Sequence, residues 1–130
     1  IEDPFAEDDS EGWKKLHSAI GDKTLIVGDD LITTNPYRLQ MALDNETVGG
    51  IIVKPNQIGT ITEAIAVAEI ARYKGLKNIV SHRSGETMDD FIADFAVGIG
   101  ADYVKFGAPV RERISKYNRL IAIEEELKKI

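Results

Sequence analysis

Short apolar runs that end in ionisable or strongly polar residues recur five times along the chain. The runs are Ile1-Glu2-Asp3, Leu25-Ile26-Val27-Gly28-Asp29-Asp30, Ile51-Ile52-Val53-Lys54, Asn78-Ile79-Val80-Ser81-His82-Arg83-Ser84 and Tyr103-Val104-Lys105. Each run is followed by a stretch of helical character, which indicates repeated βα units. The runs are continuously apolar, as expected of parallel strands that are covered on both faces. In an α/β barrel, the carboxyl ends of such strands carry the active-site side chains at one rim.

The length of the chain limits how much of such a barrel it can form. A complete (β/α)8 barrel takes roughly 250 residues, whereas this chain has 130 residues. Because the first apolar run resembles the end of a strand, we expect that the N-terminal part of something larger is absent. We therefore predict one α/β domain over residues 1–130. Its parallel βα units form the C-terminal part of a TIM-type barrel and are incomplete as an isolated chain.

Composition narrows the class of protein further. The formal net charge of −6 argues against a nucleic-acid partner, which would require a basic face. The chain has no cysteine, so it forms no disulfide or zinc–thiolate site. No apolar stretch approaches the roughly 20 residues of a membrane span. These features predict a cytoplasmic protein without a membrane span.

Capping signals place the helices between the apolar runs. Asn35-Pro36 is typical of a helix start, and Thr60 followed by Glu63 has the spacing of a capping box. The helices are predicted at about Ser10–Ile20, Pro36–Leu43, Ile61–Gly75, Asp89–Ile99 and from Val110 to the C-terminus.

Carboxylates follow the first two runs and are candidate ligands of a hard cation. Glu2, Asp3, Asp29 and Asp30 offer oxygen atoms, which Mg2+ prefers in proteins. The alternative is that some of these acids cap helices or lie solvated in loops. Their recurrence at successive strand ends favours Glu2 and Asp29 as ligands and leaves structural roles for the other two.

Lysines end two of the remaining runs. Lys54 follows the most apolar strand, where a lysine can act as a base. It could equally be paired with an acid at the end of a neighbouring strand. Lys105 occupies the equivalent position two βα units later and could anchor an anionic substrate or form a similar ion pair.

The densest polar cluster is the segment of residues 81–87. Arg83 can bind a phosphate or carboxylate with two parallel hydrogen bonds, and nearby serine hydroxyls add donors. A Ser-His-Asp catalytic triad is not favoured, because Ser81 and His82 are adjacent on a strand and point to opposite faces.

Five stretches together resemble the enolase family, in the family's order and across nearly the whole chain. They are Ile1-Glu2-Asp3-Pro4-Phe5; Val27-Gly28-Asp29-Asp30-Leu31 with Thr34-Asn35-Pro36; Lys54-Pro55-Asn56-Gln57-Ile58-Gly59-Thr60; Ser81-His82-Arg83-Ser84-Gly85-Glu86-Thr87; and Lys105-Phe106-Gly107-Ala108-Pro109 with Lys116-Tyr117-Asn118. The proline after Lys54 makes the third stretch more similar to archaeal than to bacterial members.

The resemblance implies a lyase, phosphopyruvate hydratase, which dehydrates 2-phosphoglycerate to phosphoenolpyruvate in glycolysis and gluconeogenesis. It implies that Glu2 and Asp29 bind Mg2+ and that Lys54 accepts the C2 proton. The implied substrate-binding residues are Glu2, Asp29, Lys54, Ser81, His82, Arg83, Ser84 and Lys105. Among these, Arg83 and Ser84 would bind the phosphate, with Ser81 and His82 shaping the loop, and Lys105 would hold the carboxylate end. A homo-oligomer is implied for the full-length parent.

The chain departs from the family pattern at two points. Phe106 stands where threonine is common, and the segment after Pro109 is one residue shorter than usual. By the same resemblance, a further metal-binding aspartate and the general acid would precede Ile1, so the isolated chain is expected to be inactive. The alternative hypothesis is a non-catalytic half-barrel that self-associates or complements a partner, because an open sheet exposes its edge strands.

Overall fold

A computed structural model describes residues 1–129 of the chain and shows alternating strands and helices. The helices are α1 (Ser10–Ile20), α2 (Pro36–Asp44), α3 (Pro55–Ile58), α4 (Ile61–Tyr73), α5 (Phe91–Gly98) and α6 (Ile114–Leu127), and the strands are β1 (Val27–Gly28), β2 (Gly50–Val53), β3 (Lys77–Ser81) and β4 (Tyr103–Lys105). A 3-10 turn at Arg111–Arg113 precedes α6. The last helix was predicted to reach the C-terminus, but α6 ends at Leu127, and Ile130 lies outside the described residues.

The strands form one parallel four-stranded sheet in the order β1-β2-β3-β4, which confirms the predicted α/β class. Strand β1 pairs with β2 in parallel, with Val27 opposite Gly50. On its other side, β1 forms a single parallel bridge between Val27 and Glu2. The contacts divide the chain into two compact units, residues 1–79 and residues 80–130, and each is described separately below.

The first unit buries apolar side chains against both the strands and the helices. Val27, Ile52 and Ile79 form a buried cluster, against which Leu25 packs. Strands β2 and β3 approach closely at Gly50, where a Cβ atom would lie 3.1 Å from the carbonyl oxygen of Lys77. A side chain here would crowd the backbone of Lys77, so glycine favours this close approach. The strands therefore hold their polar ends on a closely packed frame.

The second unit is held together by contacts between α5 and α6. The guanidinium group of Arg119 donates to both carboxylate oxygens of Asp94, at 2.9 and 2.6 Å. This hydrogen bonding lowers the pKa of Asp94 and raises the pKa of Arg119. The rings of Phe106 and Tyr117 pack edge to face, with their centroids 6.0 Å apart. The Arg119–Asp94 pair therefore joins α6 to α5, and the ring contact joins the start of α6 to the loop that follows β4.

Candidate active site

Alternation along the strands places Asp29 and Lys54 on one face of the first unit. Successive side chains of a strand point to opposite faces, so Asp29 shares the face of Val27, and Lys54 shares the face of Ile52. Val27 and Ile52 belong to the same buried cluster. Both polar side chains therefore follow this cluster at the carboxyl ends of their strands.

Asp29 and Lys54 form a largely buried ion pair. The ammonium group of Lys54 donates to both carboxylate oxygens of Asp29, at 2.7 and 2.6 Å. The two side chains are only 12% and 8% exposed. Lys54 is thus paired with an acid at the end of the neighbouring strand, which is one of the two arrangements that the sequence left open. The geometry also brings a candidate base and a candidate metal ligand into direct contact.

The carboxylate of Asp3 organises the turn that follows β1. Its two oxygens accept the backbone N–H groups of Asp29 and Asp30, both at 2.9 Å. A backbone hydrogen bond from the Asp3 N–H to the Val27 carbonyl oxygen, 3.1 Å, ties the two segments together. Asp3 therefore supports the segment that carries Asp29, which is the structural role that the sequence favoured.

The donor chemistry of the first unit fits a hard divalent cation. Carboxylate oxygens of Asp3, Asp29 and Asp30 lie within 4.8 Å of one another, and such oxygens are the ligands that Mg2+ prefers. Glu2 is exposed and is placed beside β1 by its bridge to Val27. An open cavity of about 450 Å3 borders Asp3 and Asp30. Carboxylates from both predicted segments thus lie around the end of β1.

In the second unit, backbone pairing brings together the ends of β3 and β4. The backbone N–H of His82 donates to the carbonyl oxygen of Lys105 at 3.1 Å. Ser81 is buried, and its hydroxyl donates to the His82 carbonyl oxygen at 3.0 Å. The predicted loop-shaping residues are therefore fixed beside Lys105, whereas Arg83 and Ser84 follow them on exposed chain.

A buried ion pair anchors the loop that carries Arg83 and Ser84. Lys116 of α6 has a side chain that is 1% exposed and lies 2.8 Å from the carboxylate of Glu86. Its ammonium group also donates to the carbonyl oxygens of Thr87 and Glu112. Burial alone would raise the pKa of Glu86. The hydrogen bonds from Lys116 and from the Arg83 backbone N–H, together with the positive charge of Lys116, outweigh burial, so the pKa is lowered overall.

Gly107 leaves room for this arrangement after β4. Its φ angle of +75° lies in the left-handed region that favours glycine. A Cβ atom there would lie 2.8 Å from Cε1 of His82 and 2.7 Å from Cδ of Arg113. The guanidinium group of Arg113 donates to the carbonyl oxygen of Ser84 at 3.3 Å. Any other residue here would have a strained backbone and would force the Arg113 or His82 side chain to shift, so the position favours glycine.

The structure thus groups the predicted site residues by unit. The first unit carries Glu2, Asp29 and Lys54, and the second carries Ser81, His82, Arg83, Ser84 and Lys105. Sequence reasoning gave no site role to Thr34 and Gln57, which contact Lys54 and each other in the first unit. A cavity of about 340 Å3 beside Trp13, Leu31 and Met41 contains none of the predicted site residues.

The parallel βα units and their polar strand ends define a part of a TIM-type barrel. Comparison with protein families shows that the chain belongs to the enolase family: the enolase C-terminal TIM barrel domain matches residues 1–130. The chain is 55% identical to Enolase B of Dictyostelium discoideum over 100% of its own length. It spans 30% of the length of that curated relative. The resemblance of the motifs to the enolase family is confirmed.

Among residues 1–129, no helix is long and apolar enough to cross a bilayer.

Proposed function

We propose that the chain is the C-terminal part of the catalytic barrel domain of a phosphopyruvate hydratase, a lyase that interconverts 2-phosphoglycerate and phosphoenolpyruvate. The observation that carries this proposal is the contact between Lys54 and Asp29 at the ends of neighbouring strands, 2.6 Å at its shortest. This contact supplies an amine, which can act as a base, and a carboxylate, which can bind a metal ion. Both kinds of group are needed to remove a proton from the carbon next to a substrate's carboxylate group. Family membership and the order of the motifs support the same reaction.

In the first unit, Lys54 would accept the C2 proton of the substrate. The Lys54 side chain is largely buried and its amine is held beside Asp29, and a positioned base lowers the barrier to proton transfer. Glu2 and Asp29 would hold Mg2+, whose charge stabilises the negative charge that builds up on the substrate as the proton leaves. Asp3 would keep Asp29 in place through the backbone.

In the second unit, Arg83 and Ser84 would bind the phosphate group. Arginine suits this role because its planar guanidinium group makes paired hydrogen bonds to phosphate oxygens. Ser81 and His82 would hold the loop, and Lys105 would bind the carboxylate end of the substrate. The ion pair between Glu86 and Lys116 would hold the loop in place before the substrate binds. This lowers the entropic cost of ordering the loop on binding.

A further part of the proposal concerns the complete polypeptide. We infer that it acts in the cytoplasm, as a homo-oligomer, in glycolysis and gluconeogenesis. The formal net charge of −6 over these 130 residues argues against a nucleic-acid partner.

The test measures formation of phosphoenolpyruvate by the complete polypeptide that carries these 130 residues. We expect Lys54→Ala to lower kcat about 100- to 10,000-fold, which is the usual contribution of a general base. Asp29→Asn is expected to raise the Mg2+ concentration required for half-maximal activity. Lys74→Ala is the matched control, because Lys74 is exposed at the end of α4 and contacts the Tyr73 ring. Full activity of Lys54→Ala would contradict the proposal.

A further inference from the structure

Thr34 lies between β1 and α2, and its hydroxyl group makes two directed hydrogen bonds. It accepts the backbone N–H of Lys54 at 2.9 Å and donates to Oε1 of Gln57 at 2.7 Å. The residue is completely buried. A hydroxyl group has one proton to donate, so the bond to Gln57 fixes its direction and leaves a lone pair facing Lys54.

The backbone that presents this hydroxyl is strained. Thr33 and Thr34 have φ angles of +51° and +52°. β-branched residues are rare in this region because the Cβ atom crowds the backbone, and such residues persist only where the surroundings enforce them. The Ile32 and Thr33 N–H groups both donate to the Asp29 carbonyl oxygen, at 3.1 and 2.8 Å. These bonds anchor the strained pair to the turn that begins at Asp29.

Lys54 is therefore held at both ends by one short segment, residues 29–34. Its ammonium group contacts Asp29, and its backbone N–H contacts Thr34. Lys54 is extended, with φ −128° and ψ 101°, and precedes α3 without a side-chain cap. The Thr34 hydroxyl thus fixes the backbone of Lys54 at the point where β2 ends.

We propose that Thr34 is a positioning residue for Lys54 and that Gln57 orients its hydroxyl group. The inference rests on the proposed function, in which Lys54 is the base. A base displaced by about 1 Å can slow proton transfer about 100-fold. The proposed phosphate contacts belong to residues 83 and 84, which do not depend on this hydroxyl. Loss of the hydroxyl is therefore expected to lower kcat while leaving KM nearly unchanged.

The first experiment compares three threonine variants in the complete polypeptide. Thr34→Val removes the hydroxyl at nearly constant shape, and Thr34→Ser retains it. Thr47→Val is the matched control, because Thr47 is also buried and its hydroxyl donates to the Ala42 carbonyl oxygen at 3.2 Å. We expect Thr34→Val to lower kcat about 10- to 100-fold. Both other variants should stay within about threefold of the unsubstituted protein, and all three should change KM by less than about twofold.

Exchange of the C2 proton of 2-phosphoglycerate with deuterated water isolates the proposed step. Its rate is expected to fall in Thr34→Val by the same factor as kcat. Gln57 provides a second pair of variants in case Thr34→Val does not fold. Gln57→Leu removes the acceptor of the Thr34 hydroxyl and should slow exchange, whereas Gln57→Glu retains an acceptor and should slow it less.

Amide hydrogen exchange reports the geometry independently of turnover. The Lys54 amide is expected to exchange faster in Thr34→Val, but not in Thr34→Ser or Thr47→Val. The proposal is wrong if Thr34→Val loses no more kcat than Thr47→Val, or if Thr34→Ser is as slow as Thr34→Val. An unsubstituted protein that forms no phosphoenolpyruvate would instead contradict the proposed function, and the positioning role with it.

Discussion

Lys116 shows how a single buried charge can fix a loop. Its ammonium group lies in the second unit between the Glu86 carboxylate and two backbone carbonyl groups. A buried charge is tolerated only when it is paired and hydrogen-bonded. The residue therefore requires the loop of residues 83–87 to keep the conformation that places the Glu86 carboxylate and the Thr87 carbonyl oxygen beside it.

We predict that Glu86→Gln strongly lowers the free energy of unfolding at neutral pH. Removing one partner of a buried ion pair costs about 3–5 kcal/mol, because the other charge stays buried without its counter-ion. Urea denaturation measures the loss. Glu69→Gln, which changes an exposed glutamate of α4, is the matched control and should leave the unfolding midpoint nearly unchanged.

The same pair should make stability depend on pH. Because the pKa of Glu86 in the folded chain lies below its ordinary value of 4.5, the folded state binds the proton less readily than the unfolded chain. The stabilisation is therefore present above pH 4.5 and disappears as the pH falls through the folded pKa. The difference between the original chain and Glu86→Gln should shrink over that acidic range. A difference that stays constant would show that Glu86 does not stabilise the fold through its charge.

Sequence reasoning located the strand-end side chains but did not identify Thr34 as a residue that supports Lys54. The type and order of Asp29 and Lys54 are visible in the sequence, although two interpretations of Lys54 remained open. The contact between Thr34 and Lys54 joins residues far apart in the chain and depends on a strained backbone. No local pattern indicates such a bond, since threonines in loops are common and mostly form local bonds.

At the scale of elements, helix starts with recognised capping residues were predicted more closely than the starts of α5 and α6, which lie at Phe91 and Ile114 instead of about Asp89 and Val110. The predicted α1 range agrees with the structure, and Asn35 and Thr60 cap α2 and α4 as expected. The first complete strand is only Val27–Gly28, shorter than its apolar run. Phe91, the first residue of α5, is 45% exposed, whereas Phe95 on the same helix is buried. Periodicity alone does not show where a helix leaves the core.

We predict that Thr60→Ala destabilises α4. The Thr60 hydroxyl accepts the Glu63 N–H at 3.2 Å and donates to the Glu63 carboxylate at 2.6 Å. Loss of such an N-cap costs about 1 kcal/mol, and Thr60→Ser should restore most of it. Thr62→Ala is the control, because Thr62 lies exposed in the same first helical turn. Urea denaturation should rank Thr60→Ala as the least stable of these variants, and equal midpoints would exclude a capping contribution.

At the scale of the whole molecule, β4 is the last strand in the sheet order. Tyr103 and Val104 are 55% and 37% exposed. Neighbouring residues of a strand point to opposite faces, so both faces of β4 present apolar surface. Parallel strands are normally covered on both faces, and an exposed apolar edge strand favours pairing with another chain.

We therefore predict that the 130-residue chain, as a separate polypeptide, self-associates and forms no phosphoenolpyruvate. Sedimentation velocity at increasing protein concentration should show reversible growth in mass. The double substitution Tyr103→Lys and Val104→Lys should weaken this association, because lysines on an edge strand oppose pairing. Tyr73→Lys is the matched control, since Tyr73 is 87% exposed on α4. If Tyr73→Lys weakens association as much as the β4 substitutions, or if the original chain stays monomeric throughout, β4 is not the contact surface.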